Sequence, residues 1–227
     1  MILGVDHISL SSNDLIGDAT ILSEAGLANR FQDFNVPNCE LKRPYLQHFN
    51  EIHGVSFHSS NSGTSIELTY HGPDLGPTVN VVQPLLTRML PGSTPRVAPS
   101  PEVPEIIRLA TGDNVRWYYS VKPRFGYWLA AEPDDWSTIN AAVVFVSSLA
   151  LAVEFWSKFL GGRPVSSGSN WCLVEHRSPM PALCLDLILV ERHEPCRVRL
   201  DDAGCPCIAY LTTRLSELAD QIRGFHR

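Results

Sequence analysis

The chain has 227 residues, of which 44% are hydrophobic and 19% are charged. This composition allows a packed core and excludes a disordered chain, and the length allows one large or two small domains. The net charge of −6, without any cluster of Lys and Arg, disfavours a nucleic-acid partner.

No segment of the sequence indicates export or membrane insertion. The start of the chain lacks a basic region followed by an apolar one, and no apolar run reaches the ~20 residues of a membrane helix. The six cysteines are therefore interpreted as reduced thiols. We predict a cytoplasmic protein without a membrane partner.

The first predicted element is a strand that alternates over residues 5–11. Ile8 and Leu10 face one side, and His7, Ser9 and Ser11 face the other. This alternation is typical of a strand with one buried face.

A helix is predicted directly after this strand. Asn13 or Asp14 supplies a side-chain oxygen that can cap it. One helical stripe carries small or apolar residues, namely Leu15, Ala19, Leu22 and Gly26. That stripe can pack on the apolar face of the strand.

Three further strands are predicted before residue 72. A second strand begins within 26–32, and 35–53 is predicted as a long loop with a short helix near 45–53. Alternating residues in 55–59 and 65–71 predict the third and fourth strands. The predicted order is βαβββ.

The middle of the chain, from residue 72 to 104, is rich in proline. A helix is predicted at Val82–Met89, and 91–104 is predicted as an exposed loop, because proline removes a backbone donor and fixes φ. Alternation over 115–121, followed by a return strand at 127–130, predicts a hairpin.

The strand-helix unit recurs twice after residue 138. The copies are predicted over 139–161 and 206–223, and strands are predicted at 171–175 and 183–190 between them. In each unit the strand begins seven residues before the cap position. This regularity predicts an internal duplication.

Three motifs resemble the vicinal oxygen chelate superfamily, which includes glyoxalase I, extradiol dioxygenases, fosfomycin-resistance proteins and bleomycin-binding proteins. They are VDHISLSSNDL at 5–15, LALAVEFWSKFLGG at 149–162 and CIAYLTTRLSELADQI at 207–222. The resemblance covers roughly 1–71 and 139–224.

The resemblance implies an α+β fold of repeated βαβββ modules that form tandem curved mixed sheets with helices on the outer face. It divides the chain into a first domain at 1–131, with its clear module at 1–71, a linker at 132–138 and a second domain at 139–227. The second domain is expected to be incomplete at its C-terminus.

His7 and Glu67 are the candidate metal ligands. A βαβββ sheet brings its first and fourth strands close together, and an imidazole and a carboxylate suit Zn²⁺, Fe²⁺, Mn²⁺ or Ni²⁺. By the resemblance, both residues occupy ligand positions for an ion that chelates two adjacent substrate oxygens. The alternative is a hydrogen-bonded core histidine beside a solvated glutamate.

The later units depart from this pattern. Ala141 and Cys207 stand where the first unit has His7. Alanine cannot bind a metal, and we favour a buried apolar role for Cys207 over a thiolate ligand. Asp186 is placed at the position of Glu67 in the second copy, as a ligand, a general base or a charge at a sheet edge.

Two other groups of side chains are candidate functional residues. The aromatic hairpin offers Trp117 and Tyr119 as ligand-binding residues, against the alternative that these rings fill a core or a seam. His48, His53 and His58 recur every five residues and are predicted to lie on the surface.

The resemblance favours a divalent-metal-dependent enzyme, a lyase, isomerase, dioxygenase or thiol transferase, acting on a small oxygenated substrate. The alternatives are a metal-free protein that binds or sequesters a small molecule, as bleomycin-resistance proteins do, and a degenerate interaction module. A homodimer is compatible with all three.

Overall fold

The computed structural model describes residues 1–24, 27–59, 63–79, 82–89, 115–117, 139–192 and 198–225. Twelve strands, three α-helices and two short 3-10 helices lie within these ranges. None of the helices described there is both long enough and apolar enough to cross a lipid bilayer.

The elements alternate along the chain as follows. The strands are β1 (Ile2–Ser11), β2 (Ala28–Pro37), β3 (Ile52–Ser59), β4 (Ser65–Tyr70), β5 (Gly76–Val79), β6 (Val82–Met89), β7 (Val115–Trp117), β8 (Ile139–Val146), β9 (Arg163–Ser167), β10 (Trp171–His176), β11 (Leu185–Glu191) and β12 (Asp202–Thr212). The helices are α1 (Leu15–Glu24), α2 (Leu149–Leu160) and α3 (Leu215–Phe225), with 3-10 helices η1 (Glu40–Tyr45) and η2 (Pro181–Leu183).

The strands form two mixed sheets. The first has the order β2-β3-β4-β1-β12, with β5 also beside β12, and the second has the order β6-β8-β11-β10-β9, with β7 beside β6. The two sheets are continuous through the residue pair Cys205 and Val82, and an isolated bridge also links Thr64 to Ile139. The predicted α+β class with mixed sheets is confirmed.

The predicted duplication is visible in the strand pairing. In the first copy β1 runs parallel to β4, and in the second copy β8 runs parallel to β11. The remaining strands of each copy pair antiparallel in the same sequence, β4-β3-β2 and β11-β10-β9. Each copy is therefore one βαβββ module.

Strand β12 belongs to the third strand-helix unit and completes the first sheet. It pairs antiparallel with β1, so that Cys207 lies opposite Ser9 and Ala209 lies opposite His7. This pairing joins segments from both sides of the predicted linker at 132–138. The division into domains stays a prediction.

The helices begin where the sequence predicts them; the apolar stripe of α1 is buried, whereas Leu215 at the start of α3 is 71% exposed. The Asp14 carboxylate accepts a hydrogen bond from the Gly17 backbone N–H at 3.1 Å, which caps α1. Ile8 and Leu10 are fully buried in the same core as Leu22 of α1. Burying each such side chain stabilises the fold by about 1.5–3 kcal/mol.

Two predicted helices are wrong. Val82–Met89 is strand β6, because pairing with β8 and β7 outweighs the helical spacing of its apolar residues. The short helix predicted near 45–53 is instead η1 at Glu40–Tyr45, since Ile52–Ser59 is already strand β3.

Parts of two other predictions lie outside the described residues. The exposed loop at 91–104 is one, and the return strand of the aromatic hairpin at 127–130 is the other. Of that hairpin, only Val115–Trp117 is described, and it pairs with β6.

Candidate metal centre

The face of the first sheet opposite α1 carries the candidate ligands. Strand alternation puts Ile8 and Leu10 under the helix, and the neighbouring residues on the other side. The register then aligns side chains from four adjacent strands on that other side, which we call the polar face: His7, Ser9, Phe57, Glu67 and Cys207.

The imidazole of His7 lies between two carboxylates. Its Nε2 is 3.2 Å from Oε2 of Glu67, and its Nδ1 is 2.8 Å from Oδ2 of Asp6. The hydroxyl of Ser9 donates to the same Glu67 oxygen at 3.2 Å. The ring edge of Phe57 packs against the imidazole, with the centroids 5.7 Å apart. The two predicted ligands are therefore held together.

The surroundings of the pair favour the ionised form of each partner. Burial disfavours the imidazolium, but hydrogen bonds and negative charge from Glu67 and Asp6 outweigh it and raise the pKa of His7. Burial likewise disfavours the carboxylate, yet His7 and Ser9 outweigh that effect and lower the pKa of Glu67. Either a proton or a metal ion can therefore lie between Nε2 and Oε2.

These donors fit two positions of a divalent-metal site. Because Asp6 accepts the Nδ1 proton, Nε2 is the nitrogen that can offer a lone pair, as in carboxylate-oriented histidine ligands. In the ranges that the structure describes, however, His, Cys, Asp and Glu side chains nowhere meet in a group of three that could hold an ion. Catalytic zinc usually has three protein ligands.

Cys207 lies beside this pair, and its surroundings disfavour the thiolate form. Burial, together with the negative charge of Glu67, raises the pKa of its thiol. A neutral thiol packed beside Ser9 agrees with the apolar role favoured from the sequence.

Comparison with known proteins bears on the fold. No protein-family model matches the sequence, and no curated protein matches it significantly. A crystal structure of a glyoxalase I mutant from Zea mays is similar over 98% of this chain and 80% of that one, with 13% identity and a TM-score of 0.50. This likeness shows that the chain has the glyoxalase fold.

Two further solved structures are also similar. One is a putative dioxygenase from Bacillus subtilis, with 15% identity over 100% of this chain and 76% of that one and a TM-score of 0.45. The other is methylmalonyl-CoA epimerase from Mycobacterium tuberculosis, with 13% identity over 86% and 90% and a TM-score of 0.23.

The second module of the glyoxalase fold lacks the corresponding pair. In the first module Ser9, two residues after His7, lies opposite Glu67. In the second, Ala141 lies opposite Asp186, so the residue aligned with Glu67 is Ile188. The assignment of Asp186 to the Glu67 position is wrong by two residues.

Asp186 is instead part of an ion-pair network. Its carboxylate and that of Glu175 both bind the guanidinium of Arg177. Burial raises the pKa of Asp186 despite this pairing. A carboxylate held by this network favours a structural role over that of a ligand or a base. The sheet-edge placement is wrong, because β11 lies between β8 and β10.

The surface prediction is wrong for two of the three histidines spaced five apart. His53 and His58 are 6% and 0% exposed, whereas His48 is exposed. An odd spacing within a strand places two residues on opposite faces, so each is buried in a different layer. His58 bonds the Ser56 hydroxyl at 2.8 Å, and burial lowers its pKa.

The predicted ligand-binding aromatic residues are only partly described. The backbone of Trp117 ends β7 and pairs with Thr87, and Tyr119 lies outside the described residues. Their role in binding a small molecule stays a prediction.

Acid is expected to destabilise the protein below about pH 6.5. Burial lowers the pKa of His71 and of His176 to about 4. Between pH 4 and 6.5 the unfolded chain therefore binds more protons than the folded one. The contribution of each histidine to stability is complete above its ordinary pKa of 6.5. That contribution is lost as the pH falls towards 4.

At pH 5, His71 and His176 should each lower the free energy of unfolding by roughly 2 kcal/mol relative to neutral pH. The His7–Glu67 pair opposes this trend, since a raised histidine pKa stabilises the fold more as the pH falls through it. Urea unfolding at pH 7, 6 and 5 measures the net effect. In the His176→Gln variant the free energy of unfolding should fall less between pH 7 and pH 5. An equally large fall in that variant would show that His176 does not cause part of the acid sensitivity.

Proposed function

We propose that the chain is a divalent-metal-dependent enzyme of the vicinal oxygen chelate type that acts on a small oxygenated substrate. The observation that carries the proposal is the linear arrangement of Asp6, His7 and Glu67, with contacts of 2.8 and 3.2 Å on the polar face. The glyoxalase fold supports the class of chemistry but not the particular reaction.

Each residue near the pair has a defined task in this proposal. His7 and Glu67 bind the ion, Asp6 fixes the tautomer and ring orientation of His7, and Ser9 orients the Glu67 carboxylate. When bound, the ion supplies Lewis-acid polarisation of two adjacent substrate oxygens. Lyase, isomerase, dioxygenase and thiol transferase reactions all start from such a substrate.

Titration of the purified, chelator-treated protein with Co²⁺ tests the proposal. We expect one equivalent to bind and to produce a visible d–d absorption band, because imidazole nitrogen and carboxylate oxygen are suitable ligands for this ion. Zn²⁺ should compete for the same site. Stoichiometric binding that leaves the His7 imidazole NMR signals unchanged would contradict the proposal.

The second candidate is a metal-free protein that binds or sequesters a small molecule. Two observations favour it. The described residues offer no third ligand beside His7 and Glu67, and Ala141 and Ile188, which cannot bind a metal, occupy the corresponding positions of the second module. A thermal-shift screen of the chelator-treated protein would reveal a ligand by mass-action stabilisation. The absence of any shift across aromatic and cationic compounds would count against it.

Three coarser features remain proposals with simple tests. We propose a homodimer, tested by light scattering, and a cytoplasmic location, tested by cell fractionation. The domain division at 132–138 is tested by limited proteolysis.

A further inference from the structure

Two histidines are stacked on the polar face, beyond the candidate metal pair. His53 of β3 precedes Gly54, and His71 follows Tyr70 directly after β4; Gly54 and Tyr70 are paired. Their ring centroids are 5.0 Å apart with an interplanar angle of 1°, and each residue is 6% exposed. The two-residue repeat of a strand places His71 on the same side as Glu67.

The imidazole of His71 has an unused polar atom. The Nδ1 of His53 bonds the backbone carbonyl of Val36 at 3.1 Å. By contrast, Nδ1 of His71 is buried and has no hydrogen-bond partner among the described residues. A buried polar atom without a partner is unfavourable, so a ligand that supplies a partner gains affinity.

Three charged side chains act on this pair, Lys42, Asp201 and Glu67. Both carboxylates have partners: Asp201 accepts hydrogen bonds from the backbone N–H groups of Gln47 and His48, each at 2.8 Å, and Glu67 contacts His7. Lys42 has no ion-pair partner among the residues that are described, yet its charge acts on His53, His71, Glu67 and Cys207.

Lys42 is held near this face by the fold of its own segment. It lies within η1, where its backbone N–H donates to the Cys39 carbonyl at 2.8 Å. The end of η1 is fixed to the approach to β12, because the Leu200 N–H donates to the Tyr45 carbonyl at 2.8 Å and Asp201 binds the next turn. The backbone of η1 is therefore held beside the approach to β12, and the Lys42 charge acts on both imidazoles.

We propose that Lys42 and the stacked imidazoles of His53 and His71 bind an anionic group, a carboxylate or a phosphate, of the small molecule that the polar face accepts. The proposal rests on the proposed function, since the His7–Glu67 end would take the neutral oxygens of the same molecule. It defines the substrate class as a small oxygenated acid or phosphate ester.

The neighbouring charges favour an anion over a metal ion at the histidine pair. A cation would be repelled by Lys42, and two parallel rings cannot both direct an in-plane lone pair at one ion without turning. Burial, together with the Lys42 charge, lowers the pKa of both imidazoles, which favours their neutral forms near pH 7. Since the Nδ1–H of His53 is donated to Val36, His71 is the ring that can offer an N–H, at Nδ1, to the anion. Glu67 and His71 are four residues apart in β4 and its extension, which corresponds to about 13 Å.

The test is an NMR titration of the metal-free protein with inorganic phosphate and, separately, with succinate. We expect saturable shifts of the His53 and His71 imidazole signals with at least one of the two anions. The Lys42→Met variant should bind it at least about tenfold more weakly, the loss of one charge-assisted contact. Whichever anion binds more tightly identifies the group.

Lys158→Met is the matched control, because Lys158 lies on the exposed side of α2 beside Glu154. It should bind the anion as the unmodified protein does. An absence of shifts with both anions, or equal weakening by the two lysine variants, would overturn the proposal.

Failure of this inference can be separated from failure of the metal proposal. If the protein binds an anion but no Co²⁺, the anion site is supported and the metal proposal is contradicted. Co²⁺ binding without any anion response would do the opposite.

Discussion

Glu67→Gln is expected to lower the affinity for Co²⁺ by at least about a hundredfold, because it replaces a charged ligand with a neutral amide of the same shape. His7→Ala should have a similar effect, since it removes the imidazole whose Nε2 faces that carboxylate at 3.2 Å. Ser9→Ala, which only removes a hydrogen bond to Glu67, should weaken binding by roughly tenfold. Each affinity is measured by competition with a chromophoric chelator.

His48→Ala is the control for these variants. His48 is exposed, so removing its imidazole should leave Co²⁺ affinity unchanged. Circular dichroism and the unfolding midpoint establish that each variant is folded. If folded Glu67→Gln protein binds Co²⁺ as tightly as the unmodified protein, Glu67 is not a ligand.

Gly4→Ala is expected to destabilise the protein by about 3–5 kcal/mol, the range of severe core changes. Gly4 has a φ of +145°, and a Cβ placed there would lie 2.7 Å from Cβ of Leu183 and close to its carbonyl oxygen. Since one of these contacts is with backbone, rotation of a side chain cannot relieve it. The change would force β1 away from η2, which precedes a strand of the second sheet.

Gly72→Ala separates the steric contribution from the backbone strain. Gly72 has a similar φ of +134°, but a Cβ there would meet only Nδ2 of Asn50 at 3.8 Å. We therefore expect a cost of about 1–3 kcal/mol from backbone strain alone. Urea unfolding measures both variants, and equal costs would show that the approach of Leu183 to Gly4 is not a tight contact.

The local pattern of the sequence was sufficient to predict the modules. Alternation in β1 and the helical stripe beginning at Leu15 depend on neighbouring residues, so their periods are readable without tertiary information. The same alternation placed His7 on the polar face, and the parallel pairing expected in a βαβββ module brought Glu67 towards it. The convergence of this pair is confirmed, while its metal role stays a proposal.

The errors occur where distant segments determine the structure. Val82–Met89 has apolar residues at helical spacing, but Leu85 and Gln83 pair with β8, which lies more than fifty residues later in the chain. The pairing of β12 with β1 is likewise invisible to local patterns. It also determines which residue of the third unit, Cys207, lies beside Ser9.

The histidine pair beyond the candidate metal site was also missed, for a different reason. The spacing of five that relates His53 to His48 and His58 does not include His71. Pairing β3 with β4 in antiparallel register places His53 and His71 next to each other. Antiparallel pairing of the strands predicted at 55–59 and 65–71, joined by a turn, also makes His53 and His71 neighbours.

The central claim is that His7 and Glu67 hold one divalent ion on the polar face of the first sheet. The most direct measurement is an anomalous difference map from crystals soaked in Zn²⁺ and recorded at the zinc absorption edge. We expect one peak at about 2.0–2.2 Å from Nε2 of His7 and from a carboxylate oxygen of Glu67. A map with no peak between these two side chains, from crystals soaked at saturating Zn²⁺, would contradict it.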